Sequence, residues 1–108
     1  CKFIEEHIAD PLTLQQIALQ ACVSPTHLNR LFHASLGTSV MKYVLQRRIE
    51  MSKLLLSGID ANVLPIRELS ALVGFQDPSY FSRVFKKCVG VSPEAFRRNK
   101  KIVHKIQS

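Results

Sequence analysis

SPTHLNRLFHASLGTS, residues 24–39, and DPSYFSRVFKKCVGVS, residues 77–92, are one segment written twice. At an offset of 53 residues Pro25 falls on Pro78, Arg30 on Arg83, Phe32 on Phe85, Gly37 on Gly90 and Ser39 on Ser92. In each copy a capping residue, Ser24 or Asp77, precedes a proline at the first helical position, where no backbone donor is needed. An inward stripe follows, Leu28, Leu31 and Phe32 in one copy and Phe81, Val84 and Phe85 in the other. The glycine then ends the helix by accepting a left-handed conformation. Upstream the offset is 52, so Leu14, Ile17, Ala18 and Cys22 fall on Ile66, Leu69, Ser70 and Gly74. The one extra residue sits in the second turn, where a loop tolerates it. Each copy reads as a helix, a short turn and a second helix opened by a capped proline, which is the helix-turn-helix layout.

The remaining segments supply the frame around these two units. Phe3, Ile4 and Ile8 form a short apolar stripe that stops before Asp10-Pro11, because the residue before a proline avoids the helical region. Thr13 and Gln16 make a capping box, and Leu14, Ile17, Ala18 and Ala21 follow at helical spacing. Ser39 caps a longer helix over about Val40 to Leu56, with Val44, Leu45, Met51, Leu54 and Leu55 as its apolar positions until Gly58. At 1.5 Å per residue that helix is roughly 25 Å long. Ile59 to Pro65 reads as a loop, Ser92-Pro93 opens a short last helix, and the Lys-rich tail beyond Arg98 is expected to fray. The expected architecture is all-α, about seven helices in one domain over 1–108. A first helix-turn-helix spans about 13–37, a linking helix about 40–57, a second helix-turn-helix about 65–90 and a C-terminal helix about 93–99.

Composition narrows the partner. Fifteen Lys and Arg against eight Asp and Glu leave a net charge of +7 in 108 residues, an excess that attracts nucleic acid or acidic lipid. Cys1, Cys22 and Cys88 are odd in number and far apart, with no zinc-finger spacing, and read as small buried or idle thiols without a metal. No signal peptide pattern and no apolar run near the roughly 18 residues of a membrane span are present, which suits a reduced, cytoplasmic setting. Cys1 in place of an initiating Met suggests a piece cut from a longer protein or a chain that has lost its first residues. An enzyme fails on inventory, since no carboxylate pair, no nucleophile with a placed base and no Gly-rich phosphate loop is present. His7, His27, His33 and His104 are scattered. No cofactor is implied. A basic helical module for a protein or membrane surface is the rival reading, resting on charge and the basic tail.

Function then turns on the outward faces of the two second helices. Thr26, Asn29, Arg30 and His33 lie opposite the apolar stripe in the first copy; Ser79, Ser82, Arg83 and Lys86 repeat that face in the second. Arg bonds guanine bidentately, Asn bonds adenine, and short hydroxyls reach bases or phosphates. Base readout is assigned to Thr26, Asn29, Arg30, Ser79, Tyr80 and Arg83. For the equivalent pair Tyr80 and His27 a packing role competes with base contact. Phosphate or secondary contacts are assigned to Ser24, His27, His33, Arg48, Ser82, Lys86, Lys87 and Arg97, which hold register without reading sequence. Capped helix starts add backbone donors for phosphate oxygens.

Residues 66–97, IRELSALVGFQDPSYFSRVFKKCVGVSPEAFR, resemble the signature region of the AraC/XylS family of bacterial transcription regulators. Gly74-Phe75, Tyr80-Phe81-Ser82-Arg83, Phe85-Lys86-Lys87, Gly90, Ser92-Pro93 and Phe96-Arg97 fall in the family's order and spacing. The likeness extends upstream through Ile17-Ala18, Ser24, Leu28, Arg30-Leu31-Phe32, Gly37, Tyr43, Arg48 and Leu55-Leu56. The resemblance implies a seven-helix DNA-binding domain whose central helix fixes two recognition helices in successive major-groove segments of double-stranded DNA. It also implies a regulator, most often an activator that meets RNA polymerase, and often a separate N-terminal effector or dimerisation domain. Ser52 and Ser70 stand where the family usually has Ala, and Val40 where a larger apolar residue is common, so looser packing of the central helix is expected.

Overall fold

The computed structural model describes residues 2–57 and 64–98, and helices are the regular elements among them. In chain order they are α1 (Lys2–Glu6), α2 (Leu14–Gln20), α3 (Pro25–Leu36), α4 (Val40–Leu56), α5 (Ile66–Leu72) and α6 (Pro78–Val89), followed by α7 over 93–98. The chain divides into two compact units, Cys1–Arg48 and Ile49–Ser108, so α4 contributes residues 40–48 to the first and 49–56 to the second. Expectations that fall on Cys1, on Gly58 and the 59–63 loop, and on the tail beyond Arg98 lie outside the described residues.

In the first unit α2 starts where its capping box closes. The Thr13 hydroxyl accepts from the Gln16 backbone N–H at 3.1 Å, while the Gln16 side chain accepts from the Thr13 N–H at 3.0 Å. Two otherwise orphaned donors are thereby paired. Packing of α1 and α3 on α2 buries Ile4, Ile8, Ile17, Ala18 and Leu28 together with Val40 and Val44 of α4. This core is aliphatic. The second unit closes instead on rings: Phe75, Phe81, Phe85 and Phe96 follow one another at centroid separations of 5.1, 5.7 and 5.6 Å. Tilted and edge-on rings at these distances add to the area they remove from water.

The repeat persists as geometry. In both units the turn after the first helix closes in the same way. The N–H of Cys22 donates to Leu19 O and that of Val23 to Ala18 O, as Gly74 donates to Ala71 O and Phe75 to Ser70 O. This double closure requires a left-handed residue at its centre, and Gly74 has φ +96° and Cys22 φ +59°. Farther on, Phe32 meets Tyr43 edge-on at 5.5 Å and Phe85 meets Phe96 edge-on at 5.6 Å, each pair eleven residues apart. The helix ends match too, Gly37 donating to His33 O and Gly90 to Lys86 O.

Three sequence expectations are corrected. Leu31 is 45% exposed, because a unit this small covers a stripe narrower than the apolar one. Of the three successive leucines that close α4, Leu56 is buried, whereas Leu54 is 75% and Leu55 37% exposed; Val40, Val44, Ile49, Ser52 and Leu56 form the covered row. Cys22 and Cys88 are exposed rather than buried thiols. Ser52 and Ser70 leave no orphaned polar group. The Ser52 hydroxyl donates to Ile49 O at 2.7 Å and that of Ser70 to Arg67 O at 2.8 Å, so two buried hydroxyls are satisfied within their own helices.

Candidate nucleic-acid interface

The candidate reading faces lie on α3 and α6, and their starts are set locally. Ser24 accepts the His27 N–H at 3.1 Å and Asp77 the Ser79 N–H at 3.0 Å, with a proline following each. Ser24 therefore serves its own helix, and the same holds for Asp77. Beyond these caps Thr26, His27, Arg30 and His33 are exposed on α3, and Ser79, Tyr80, Arg83, Lys86 and Lys87 are exposed on α6. Opposite them Leu28 and Phe81, which are equivalent, are buried. Each helix thus shows one covered side and one polar side, with an arginine one turn in.

Neither Arg30 nor Arg83 forms an ion pair with a described residue. Their environments differ in one respect. The Arg83 guanidinium carbon lies 5.9 Å from the centroid of the Tyr80 ring, within the range of cation–π attraction. The Tyr80 ring in turn lies 6.0 Å from the ring of buried Phe75.

Other expected contact residues are engaged inside the protein. Asn29 is half-buried, and its amide oxygen accepts the Val40 N–H at 3.0 Å, which caps the start of α4. Arg48 donates from Nε to Ile8 O at 2.9 Å and from Nη2 to Asp10 O at 2.8 Å, tying the α1–α2 connection to α4. Burial pushes its guanidinium below the usual arginine range. Arg97 donates to Leu64 O, and its Nε is buried without a partner among the described residues. Arg48 and Arg97, read from sequence as phosphate contacts, here bond carbonyl oxygens that no local rule announces, since the partners stand about 40 and 33 residues away. Ser82 is half-buried on α6.

The electrostatics of the first unit include one pair that the sequence did not suggest. Arg47 donates to the Glu5 carboxylate from Nε at 2.7 Å and from Nη2 at 3.4 Å. That hydrogen bond holds Glu5 below the usual carboxylate range. Among the described residues no group of three or more His, Cys, Asp or Glu side chains could hold a metal ion. No helix among them is long and apolar enough to cross a membrane.

Comparison with known proteins agrees with this geometry. The sequence model of a family described as "Helix-turn-helix domain" matches residues 17–99. The arabinose operon regulatory protein of Salmonella typhimurium is 44% identical over 98 residues, covering 90% of this chain and 34% of that protein. The chain spans about a third of the length of the curated relatives it matches. Among solved structures, the C-terminal domain of AraT, a response regulator from Geobacillus stearothermophilus, aligns with a TM-score of 0.82 at 37% identity, covering 91% of this chain and 79% of that one. The DNA-binding domain of AdpA, solved with a target DNA, aligns with a TM-score of 0.86 over 94% of this chain and 88% of that one; at 22% identity it is a likeness of fold.

Proposed function

Because the chain belongs to the AraC-type helix-turn-helix family, we propose that it binds double-stranded DNA sequence-specifically, as the DNA-binding part of a bacterial transcription regulator. The observation that carries this reading is the repeated exposed arginine. Arg30 and Arg83 occupy equivalent positions on α3 and α6, outside the core and without carboxylate partners among the described residues. A helix lying in the major groove presents such a fork to guanine O6 and N7. Thr26 and Ser79, one turn earlier on the same faces, reach bases or phosphates. Lys86 and Lys87 neutralise phosphates, and His33 makes a secondary contact that helps to set register. The two helices read successive major-groove segments of one site. In a regulator of its relatives' length the domain works beside an effector or dimerisation domain in the cytoplasm, and as an activator it meets RNA polymerase.

Retention of the purified domain on duplex DNA and on anionic vesicles, each measured across a salt series, tests this. Displacement of condensed counterions predicts a log–log slope of about −4 to −8 on DNA, equivalent to roughly five to nine phosphate contacts. A slope near zero, or equal retention on vesicles, overturns the reading.

A further inference from the structure

The two reading arginines are held differently, and the difference traces to two positions of the repeat. In the second unit Phe75 is buried among the rings of the core, Tyr80 lies half-exposed 6.0 Å from it, and Arg83 lies 5.9 Å from the Tyr80 centroid. Tyr80 and Arg83 stand three residues apart on α6, the spacing at which helical side chains are neighbours. In the first unit the positions equivalent to Phe75 and Tyr80 carry Val23 and His27. An aliphatic side chain and an imidazole there replace two benzenoid rings. We propose that Tyr80 is a positioning residue that holds Arg83 in its reading conformation through the contact series Phe75–Tyr80–Arg83, and that the second unit is thereby the more discriminating reader.

This positioning role rests on the DNA-binding reading given above and adds a division of labour to it. A free arginine has several rotatable bonds to fix when it meets a base, and fixing them opposes binding. A ring face beside the guanidinium removes part of that cost before DNA arrives. Its own position is set by an aromatic contact to the core, so it adds little freedom of its own. Cation–π attraction at an exposed site corresponds to about a 2- to 5-fold change in an equilibrium. That is enough to matter at one base pair and too little to alter whether DNA is bound at all.

The test compares the preferences of the wild type, Tyr80→Phe, Tyr80→Leu, Tyr80→His, Arg83→Ala and the Tyr80→Leu/Arg83→Ala pair, selected from random duplex DNA and then measured against single-base variants. Tyr80→Phe keeps the ring and is expected to keep the profile. Tyr80→Leu and Tyr80→His are expected to lose about 2- to 5-fold discrimination at the base pairs that Arg83→Ala relaxes, with no further loss in the pair. Tyr80→His imports the residue that the first unit already folds with at this position, so melting curves of the two losing variants separate a reading effect from a folding one. Additive losses in the pair, or a Tyr80→Phe profile as relaxed as that of Tyr80→Leu, would mean that Tyr80 meets DNA itself and would overturn the proposal. An unchanged Tyr80→Leu profile beside a relaxed Arg83→Ala profile overturns it alone. An unchanged Arg83→Ala profile removes base reading by Arg83, and this proposal with it, while salt-dependent duplex binding still stands.

Discussion

Cys22 holds a left-handed backbone, φ +59°, at the place where the second unit uses Gly74, φ +96°. A side chain there meets its own carbonyl, at a cost of roughly 1–2 kcal/mol, against which glycine's larger unfolded entropy must be set. Cys22→Gly is expected to stabilise the protein by up to about 1 kcal/mol, a rise of roughly 4–8 °C in Tm per kcal/mol. Gly74→Ala should lower Tm, and both are read by thermal melts. An unaltered Tm for Cys22→Gly would mean that the strain relieved is no larger than the unfolded-state entropy that glycine adds. Arg48 makes the opposite kind of point, because its charge serves the fold. Arg48→Ala abandons the carbonyls of Ile8 and Asp10, and hydrogen bonds from a charged donor contribute about 1.5–3 kcal/mol. A depressed Tm with an unchanged salt slope is expected, whereas Lys87→Ala, exposed on α6, should leave Tm alone and reduce the slope by about 0.9. A slope lowered by Arg48→Ala would restore it to the phosphate contacts.

At the level of elements, the duplicated unit explains why equivalent residues do different work. Val40 begins α4 with an N–H that needs an acceptor, and Asn29 supplies it. Pro93, the residue equivalent to Val40, has no N–H, so Ser82 at the position equivalent to Asn29 has nothing to cap. Asn29→Ala should therefore cost about 1 kcal/mol of stability while Ser82→Ala costs little, a contrast visible in denaturant melts; equal costs would remove the capping role. The local caps were legible in the sequence, since Thr13, Ser24, Ser39 and Asp77 each bond a backbone group two or three residues on. Asn29 was not, because its partner lies eleven residues away across the α3–α4 connection, and its outward register made it look like a base reader. Periodicity likewise chose Leu54 and Leu55 at the end of α4, whereas the leucine a neighbour covers is Leu56. The α1–α4 tie shows the same limit, Glu5 and Arg47 being 42 residues apart. With its pKa below the unfolded value, Glu5 contributes stability above the unfolded pKa, which is lost as pH falls through the folded one. Both groups are well exposed, so the effect is a few tenths to about 1 kcal/mol. Glu5→Gln should flatten the acid limb of the stability profile by that amount, and an identical acid limb in both proteins would show that the pair contributes nothing.

For the molecule as a whole, the decisive comparison sets Arg30 against Arg83, because it joins the duplication to the readout chemistry. Both lie on exposed faces of capped helices in separate compact units, with no described carboxylate within ion-pair distance. If each unit reads its own segment, Arg30→Ala relaxes preference in one segment and Arg83→Ala in the other, at about 1–3 kcal/mol each. The two substitutions share no partners, so the double variant should lie within about 0.5 kcal/mol of additivity. Melting temperatures should hold, since neither side chain is part of an apolar core. The Arg83 effect should be the larger, because its fork is held by the Tyr80 ring before DNA arrives. Site selection from random duplexes, binding to each preferred site and its single-base variants, and thermal melts measure these quantities on one set of proteins. Two arginines that instead supported the fold would show the reverse signature, with lower melting temperatures and every sequence weakened alike. Relaxed preference in one variant and an unchanged profile in the other would be more specific still: one unit would read bases while the other only grips the backbone, and the repeat would have kept its geometry while dividing its chemistry.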